Sequence, residues 1–301
     1  MGITRGSARL LLDEAARRPF SGSLLELARM FVYLRPKELE RWARRHGVEL
    51  SDVETVGRSH DPRLRRYGCL DDKTFFQRLG FDQVTSVDVV DWEGVDVLHD
   101  LNTPLPDSLR ERFDVVYDGG TLQHVFDLPR ALENVHAALK VGGRVVHGMA
   151  PSNNHVDLGF YMFSPTLFAD FYAANGWRLE GIRIFEYVSF WVRGVLHTGP
   201  WKVYRYTPGV LDHLSYGRFG NRQLGIFVVA TKTAESTGDV RPQQSFYRDL
   251  WRRSDDGVPT ASTTSGRDLP LPFALLKPWK RVRETIRRVG PKRMPPVDAV
   301  Y

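Results

Sequence analysis

Cysteine is almost missing from this chain: Cys69 is the only one in 301 residues. That excludes an internal disulfide and a cysteine-built zinc site, and it removes any need for an oxidising compartment. Long apolar runs are missing as well. Nowhere do about 18 consecutive apolar residues occur, the length a membrane-crossing helix needs, and Met1 to Arg18 lacks the apolar core of a signal peptide. A cytoplasmic location is the expectation. No HxH, HExxH or carboxylate cluster has convincing metal spacing, so metal-independent chemistry is expected, and no GxGxxG follows a candidate strand, which argues against a dinucleotide oxidoreductase.

Excess charge is also scarce outside one segment. The formal net charge is +6, and the stretch from Lys277 to Arg293 alone carries +7. The rest is close to neutral, so no nucleic-acid partner is expected. That basic stretch lies in a predicted helix, Pro272 to Val289, with Phe273, Leu275, Leu276, Trp279 and Val282 on one side. Its plain reading is a solvated charged face; the other is peripheral contact with an anionic surface or a carrier. Ser254 to Leu269 before it has the composition of a linker.

What is present is an ordinary globular balance, 42% apolar and 26% charged residues. The first fifty residues predict a helical cap: Leu10, Leu11, Leu24, Leu25, Leu27, Ala28, Phe31 and Val32 recur at helical spacing, and Pro36 separates them from a second segment, Glu38 to Arg45. From Val53 onward short apolar runs alternate with helical stretches. Seven strands are predicted, at Val53–Val56, Val84–Val89, Val95–Leu98, Phe113–Tyr117, Gly143–Met149, Leu179–Tyr187 and Leu224–Thr231. Asp127 and Ser164 are expected to cap two of the intervening helices.

The expected fold class is therefore α/β, a doubly wound, Rossmann-like, seven-stranded and mostly parallel sheet. Its domain would span 51–233, after a helical N-terminal cap (1–50) and before a C-terminal extension (234–301). An aromatic-rich insertion near 186–223 includes Phe190, Trp191, Trp201, Tyr204, Tyr206 and Tyr216. It reads equally as a wall of the substrate pocket or as a small hydrophobic core under a long connection.

In open α/β sheets the ligand lies beyond the carboxyl ends of the strands, and a nucleotide needs a carboxylate there for its ribose. Asp88 ends the second predicted strand, with Asp91 as a nearby substitute. Asp100, followed by Leu101, ends the third; a carboxylate there could accept from an exocyclic amino group beside an apolar face. Asp118 closes the fourth, in FDVVYDGGTLQHV, where Gly119 and Gly120 permit close backbone approach.

FDVVYDGGTLQHV followed by a helix and LKVGGRVV resembles the fourth strand, helix and fifth strand of class I S-adenosylmethionine-dependent methyltransferases. SVDVVDWEG and VLHDLNTPLP resemble a bacterial branch of that family, and the resemblance spans roughly Val53 to Tyr187. It implies S-adenosyl-L-methionine as cofactor, with Asp88 on the ribose, Asp100 and Leu101 around the adenine, and Asp118 with Gly119 at the methionine part. The family's GxGxG loop is represented by Gly57 alone, in VGRSH. That leaves three outcomes, a cofactor held in a modified way, held weakly or not held, of which the first is expected.

Methyl transfer to an oxygen or nitrogen calls for a positioned acceptor and a general base. His124 and His155 are the candidates. His124 follows the fourth strand, and His155 lies in a polar loop, PSNNHVDLGFY, that also offers Asn153, Asn154, Asp157 and Tyr161. The expected activity is methylation of a hydroxyl or amine on a small-molecule or glycan acceptor in bacterial biosynthesis. The alternatives are non-methylating use of the same cofactor and a non-catalytic binding module.

Overall fold

The computed structural model describes residues 2–91, 93–192, 195–211, 222–248 and 296–301. The predicted linker and basic helix of the tail lie outside these residues.

A short N-terminal pair, β1 (Gly2–Ile3) with β3 (Phe31–Val32), flanks α1 (Arg5–Arg17) and β2 (Ser23–Leu27). Then follow α2 (Pro36–His46), α3 (Pro62–Arg66), α4 (Asp72–Arg78), β4 (Gln83–Asp88) and β5 (Val97–Leu98). After β6 (Phe113–Asp118) come α5 (Leu128–Ala138), β7 (Leu139–Pro151), α6 (Pro165–Ala174) and β8 (Arg178–Tyr187). The hairpin β9 (Ser189–Val192) and β10 (Val195–Thr198) precedes β11 (Lys202–Arg205), β12 (Gln223–Thr231) and β13 (Val297–Val300).

The main sheet has nine strands among the described residues, not seven, in the order β13-β11-β8-β12-β7-β6-β2-β4-β5. The half from β5 to β7 is parallel. β12 runs antiparallel between β7 and β8, and β11 and β13 extend that side in antiparallel pairs. One core packs on α1, α2 and α4 through residues such as Leu10, Phe75 and Tyr117; the other packs on α5 and α6 through Leu132, Phe168 and Val116. Helices thus cover both faces, the doubly wound arrangement.

The largest departure from expectation is at the first strand. Val53–Val56 forms no strand, and Val56 is exposed. The middle strand is instead β2, taken from the residues expected to form a helical cap. Leu24 turns to one core, while Leu25 and Leu27 turn to the other. A strand buried on both faces reads as a continuous apolar run, which helical spacing mimics. Phe31 and Val32 are likewise a short strand rather than helix, whereas α1 and α2 are the helices of this region. The sheet therefore draws strands from both sides of the expected 51–233 boundaries, since β13 at its far edge comes from the last residues. Tyr301 and Trp201 exchange backbone hydrogen bonds of 2.7 and 2.9 Å there.

Both expected helix caps are present: Asp127 accepts from Arg130 N and Ser164 from Thr166 N. The described part of the aromatic insertion packs a hydrophobic core and also lines a cavity; Tyr216 lies outside the described residues. Trp201 is fully buried and stacks on Phe185 with centroids 4.0 Å apart, while Tyr187, Ser189 and Thr198 face a cavity. No helix of the described residues is long and apolar enough to cross a membrane.

Candidate functional site

The strand order reverses between β2 and β6, so the carboxyl ends of these two strands form the switch point. Beyond β2 the chain runs Ala28, Arg29, Met30 instead of a glycine series. Ala28 nonetheless adopts the left-handed region, φ +63°, and its N–H donates to Val87 O at 2.8 Å. A non-glycine residue held there is strained, and such strain concentrates at functional turns. The turn keeps a glycine's conformation without the glycine.

Arg29 spans from this turn to neighbouring elements. Its guanidinium makes two bonds to Asp72 at the start of α4, Nε to Oδ2 at 2.5 Å and Nη2 to Oδ1 at 2.6 Å. Nη1 donates to the carbonyls of Glu93 and Gly94, in the loop after β4, at 3.2 and 3.0 Å. Asp72 is fully buried and also accepts from Met30 N. Burial favours its neutral form, but the Arg29 guanidinium wins and holds the carboxyl below its usual range. On β2 itself, Glu26 is fully buried with neither carboxyl oxygen in a normal hydrogen bond. Burial first, and then the negative charge of Asp72, push its pKa well above the ordinary value and so favour the neutral form of Glu26.

Met30 is fully buried against β6: a Cβ on Gly119 would come within 2.5 Å of Met30 Sδ and 2.9 Å of Tyr117 Cε1. Gly119 is thus required by packing. Gly120, at φ +106°, makes the turn that follows.

Asp118 is buried, and its carboxylate is engaged by the protein. Oδ1 accepts from the N–H groups of Gly120 (3.1 Å) and Thr121 (2.7 Å), and Oδ2 pairs with His147 Nδ1 at 2.9 Å. His147 Nε2 lies 2.5 Å from Tyr172 Oη, completing a buried chain from β6 through β7 to α6. Burial acts to raise the Asp118 pKa; the His147 bond and the backbone donors overcome it and lower it. The expected approach of Asp118 to a ligand is therefore not what its side chain does. In the sequence His147 ranks behind His124 and His155; the signal for its role is a histidine among the apolar positions Val145, Val146 and Met149 of β7.

The other predicted acids hold strand ends. Asp88 is the last residue of β4, half-buried, and accepts from Val89 N at 2.6 Å. Beside it Val89 and Val90 are exposed. Asp100, two residues past β5, accepts from both nitrogens of Asn102, which lowers its pKa. Since β4 and β5 are parallel, with Asp88 opposite Leu98, both acids stand at one edge. Leu101 instead turns inward and is buried in the core.

Gly57 is far from its expected place after a first strand. It packs on the N-terminal cap of α4, its N–H donating to Thr74 Oγ1, and a Cβ would strike the Asp71 carboxyl at 2.1 Å. It serves this contact, because the strand it was expected to follow is elsewhere.

Past the ends of β6 and β7 opens a cavity of about 350 Å³. Gly119, Gly120, Gln123, Met149 and Pro151 line it, with Phe31, Tyr33 and Leu64 from the N-terminal part of the chain. His155, Leu158 and Tyr187 line it as well. His155 is 7% exposed, with Nε2 at 3.4 Å from Tyr187 Oη. Burial lowers its pKa, with a backbone bond to Leu224 acting the other way. At the rim the Arg63 guanidinium holds the Asp61 carboxyl down to about 2.

Of the predicted site residues, the fold brings Gly119 and His155 together in this cavity. Asp88, Asp100 and Asp118 are at neighbouring strand ends outside its lining. His124 is exposed and is not among the lining residues, although Gln123 beside it is. Among the described residues no group of three or more His, Cys, Asp or Glu is arranged to hold a metal.

The residues fit the adenosine portion of S-adenosylmethionine: two strand-end carboxylates share one edge, with the exposed apolar Val89 and Val90 beside Asp88. At the methionine portion the fit is a modified one. The left-handed turn is kept by Ala28, and Arg29 and Met30 stand where glycines would leave room.

No protein-family model and no curated protein matches this chain. Solved structures similar to it include S-adenosylmethionine-dependent methyltransferases. One is 1,6-didemethyltoxoflavin-N1-methyltransferase from Burkholderia thailandensis, holding its substrate and S-adenosylhomocysteine; it is 15% identical over 75% of this chain and 76% of its own, with a TM-score of 0.33. A SAM-dependent methyltransferase from Thermotoga maritima is 16% identical over 76% of this chain and 90% of its own, TM-score 0.33. The N-methyltransferase NodS from Bradyrhizobium japonicum is 11% identical over 75% and 94%, TM-score 0.36. Likenesses this distant carry no argument about activity, which must come from the site.

Proposed function

We propose that this chain is an S-adenosylmethionine-dependent methyltransferase whose acceptor is a hydroxyl or amine of a small molecule. One observation carries the reading: Asp88 and Asp100 stand at the carboxyl ends of β4 and β5, in the same parallel half of the sheet whose β6 and β7 end at a cavity holding a buried, neutral histidine. The apolar lining favours a small molecule over a glycan, which would need more polar partners. A role in bacterial biosynthesis accords with such an acceptor.

The cofactor, when bound, supplies an electrophilic methyl group. The chain's own residues bind and orient. Asp88 would take the ribose hydroxyls, and Asp100 would accept from the adenine amino group. Gly119 and Gly120, directly past the end of β6, line the acceptor cavity. Phe31, Tyr33 and Tyr187 would hold the acceptor and exclude water. His155, uncharged because it is buried, would take up the acceptor's proton through the Tyr187 hydroxyl, which lies 3.4 Å from Nε2: the hydroxyl accepts from the acceptor as it passes its own proton to that nitrogen.

Isothermal titration with S-adenosylhomocysteine tests the cofactor half. Binding should weaken at least tenfold in Asp88→Ala and stay unchanged in His155→Gln, while His155→Gln abolishes transfer to an added acceptor. Absence of binding at millimolar ligand would overturn the reading.

A second reading, that the cofactor is held but used for non-methylating chemistry, draws on Ala28-Arg29-Met30 in place of glycines. A product heavier by one CH2 unit decides against it.

A further inference from the structure

The loop joining β7 to α6 carries His155 and then a series of apolar side chains that turn away from the protein. Val156 is 81% and Phe160 63% exposed, and Leu158 and Met162 are also exposed. Phe126, 70% exposed, meets Phe160 edge to face with centroids 5.5 Å apart, and Val188 is exposed between the cavity-lining Tyr187 and Ser189.

The loop is firmly tied. Asn154 Nδ2 donates to Arg222 O (2.6 Å), Phe160 N to Gln123 O (2.8 Å), Tyr161 Oη to Phe126 O (2.6 Å) and Phe163 N to Pro151 O (2.7 Å). Asn154 and Asp157 both adopt left-handed backbone, φ +60° and +66°. Strain and hydrogen bonds therefore hold apolar groups in water, and a cluster of exposed apolar side chains held in place marks a binding site.

Two features choose the occupant. Leu158 belongs both to the cavity wall and to the exposed series, and Gln123 lines the cavity while its carbonyl anchors Phe160, so a path leads from the cavity to the exposed series through Leu158. The cavity, about 350 Å³, is near the lower limit of pockets that enclose a whole drug-sized ligand. A larger acceptor must extend outward along that path.

We propose that the acceptor is amphiphilic: a compact ring or head bearing the hydroxyl or amine sits in the cavity beside His155, and an alkyl, acyl or prenyl chain lies across Leu158, Phe160, Phe126 and Val156. This rests on the cavity being the acceptor site of the proposed methyltransferase. The chain is what the exposed rim binds.

The test uses 4-n-alkylphenols from ethyl to octyl, titrated by calorimetry into the full chain without cofactor. Affinity should rise about twofold to fourfold per added methylene, since each CH2 leaves water for an apolar surface. In Val156→Ser/Phe160→Ser that increment should fall below twofold, with the affinity for 4-ethylphenol unchanged. Both side chains stand in solvent, so the variant should fold like the parent, checked by circular dichroism. An affinity independent of chain length, or an equal increment in the double variant, would overturn the proposal. So would sedimentation with phosphatidylcholine vesicles in place of a chain-length dependence, which would make the rim a membrane surface. Because no cofactor is present, failure here is distinct from failure to bind S-adenosylhomocysteine.

Discussion

Arg29 and Asp72 form a two-bond ion pair that joins the turn after β2 to the start of α4, with Asp72 fully buried and the guanidinium also holding two carbonyls of the loop after β4. Removing the cation strands a buried carboxylate. Arg29→Met should therefore cost about 3 kcal/mol or more in urea unfolding. Arg29→Lys should recover less than half of that, because an ammonium cannot make the paired contact and reach both carbonyls.

Glu26 gives that region a pH dependence. A group whose folded pKa is raised adds stability that is full below its unfolded value, near 4.5, and lost as pH rises through the folded value. Asp72 is depressed and acts oppositely, with stability present above the unfolded aspartate value and lost as pH falls through the folded one. Glu26→Gln should thus flatten the alkaline side of a plot of urea midpoint against pH and leave the acidic side unchanged. A variant profile parallel to the parent's on the alkaline side would contradict the neutral state of Glu26.

The chain from Asp118 through His147 to Tyr172 is structural. His147→Ala should destabilise by about 1 to 3 kcal/mol, because it removes a partner from a buried carboxylate. Tyr172→Phe should lose about 1 kcal/mol. S-adenosylhomocysteine affinity in Tyr172→Phe should remain within threefold of the parent's, measured by calorimetry.

Met30 and Gly119 compete for one volume, so their substitutions should couple. Gly119→Ala alone should destabilise by about 1 to 3 kcal/mol through overpacking. In a Met30→Ala background its cost should be smaller by at least about 0.5 kcal/mol, the coupling expected of residues in contact. Additive losses would show that the alanine methyl finds space elsewhere.

His155 should leave its mark on the rate profile. With its pKa lowered by burial, the acid limb of methyl transfer should lie below 6.5, the ordinary histidine value. The same depression means stability is complete above that value and declines as pH falls through the folded pKa. A limb at or above 6.5 would remove His155 from the role of base.

Much of the sheet was legible because its strands alternate with well-capped helices. β6, β7, β8 and β12 and the caps Asp127 and Ser164 are where the pattern places them. β2 was not legible, since Leu24, Leu25 and Leu27 are shared between two cores and lose the alternation that marks a one-sided strand. With β2 displaced, Gly57 inherited a part that belongs to Ala28, and Arg29 went unnoticed because its partner is on a helix some forty residues later. Asp88 and Asp100 were legible as strand ends from chain order alone. The engagement of Asp118 by His147 was not, because it depends on which face of β7 turns toward α6.

The position of β2 also bears on how the molecule is made. Ser23–Leu27 is synthesised before both of its neighbours, β4, beginning at Gln83, and β6, ending at Asp118. Until β4 has been made this apolar segment has no partner strand, and until β6 follows it is open on one side. Pairings so distant in sequence close slowly and leave sticky segments waiting. Nascent chains stopped before Phe113 are thus the ones most in need of a chaperone.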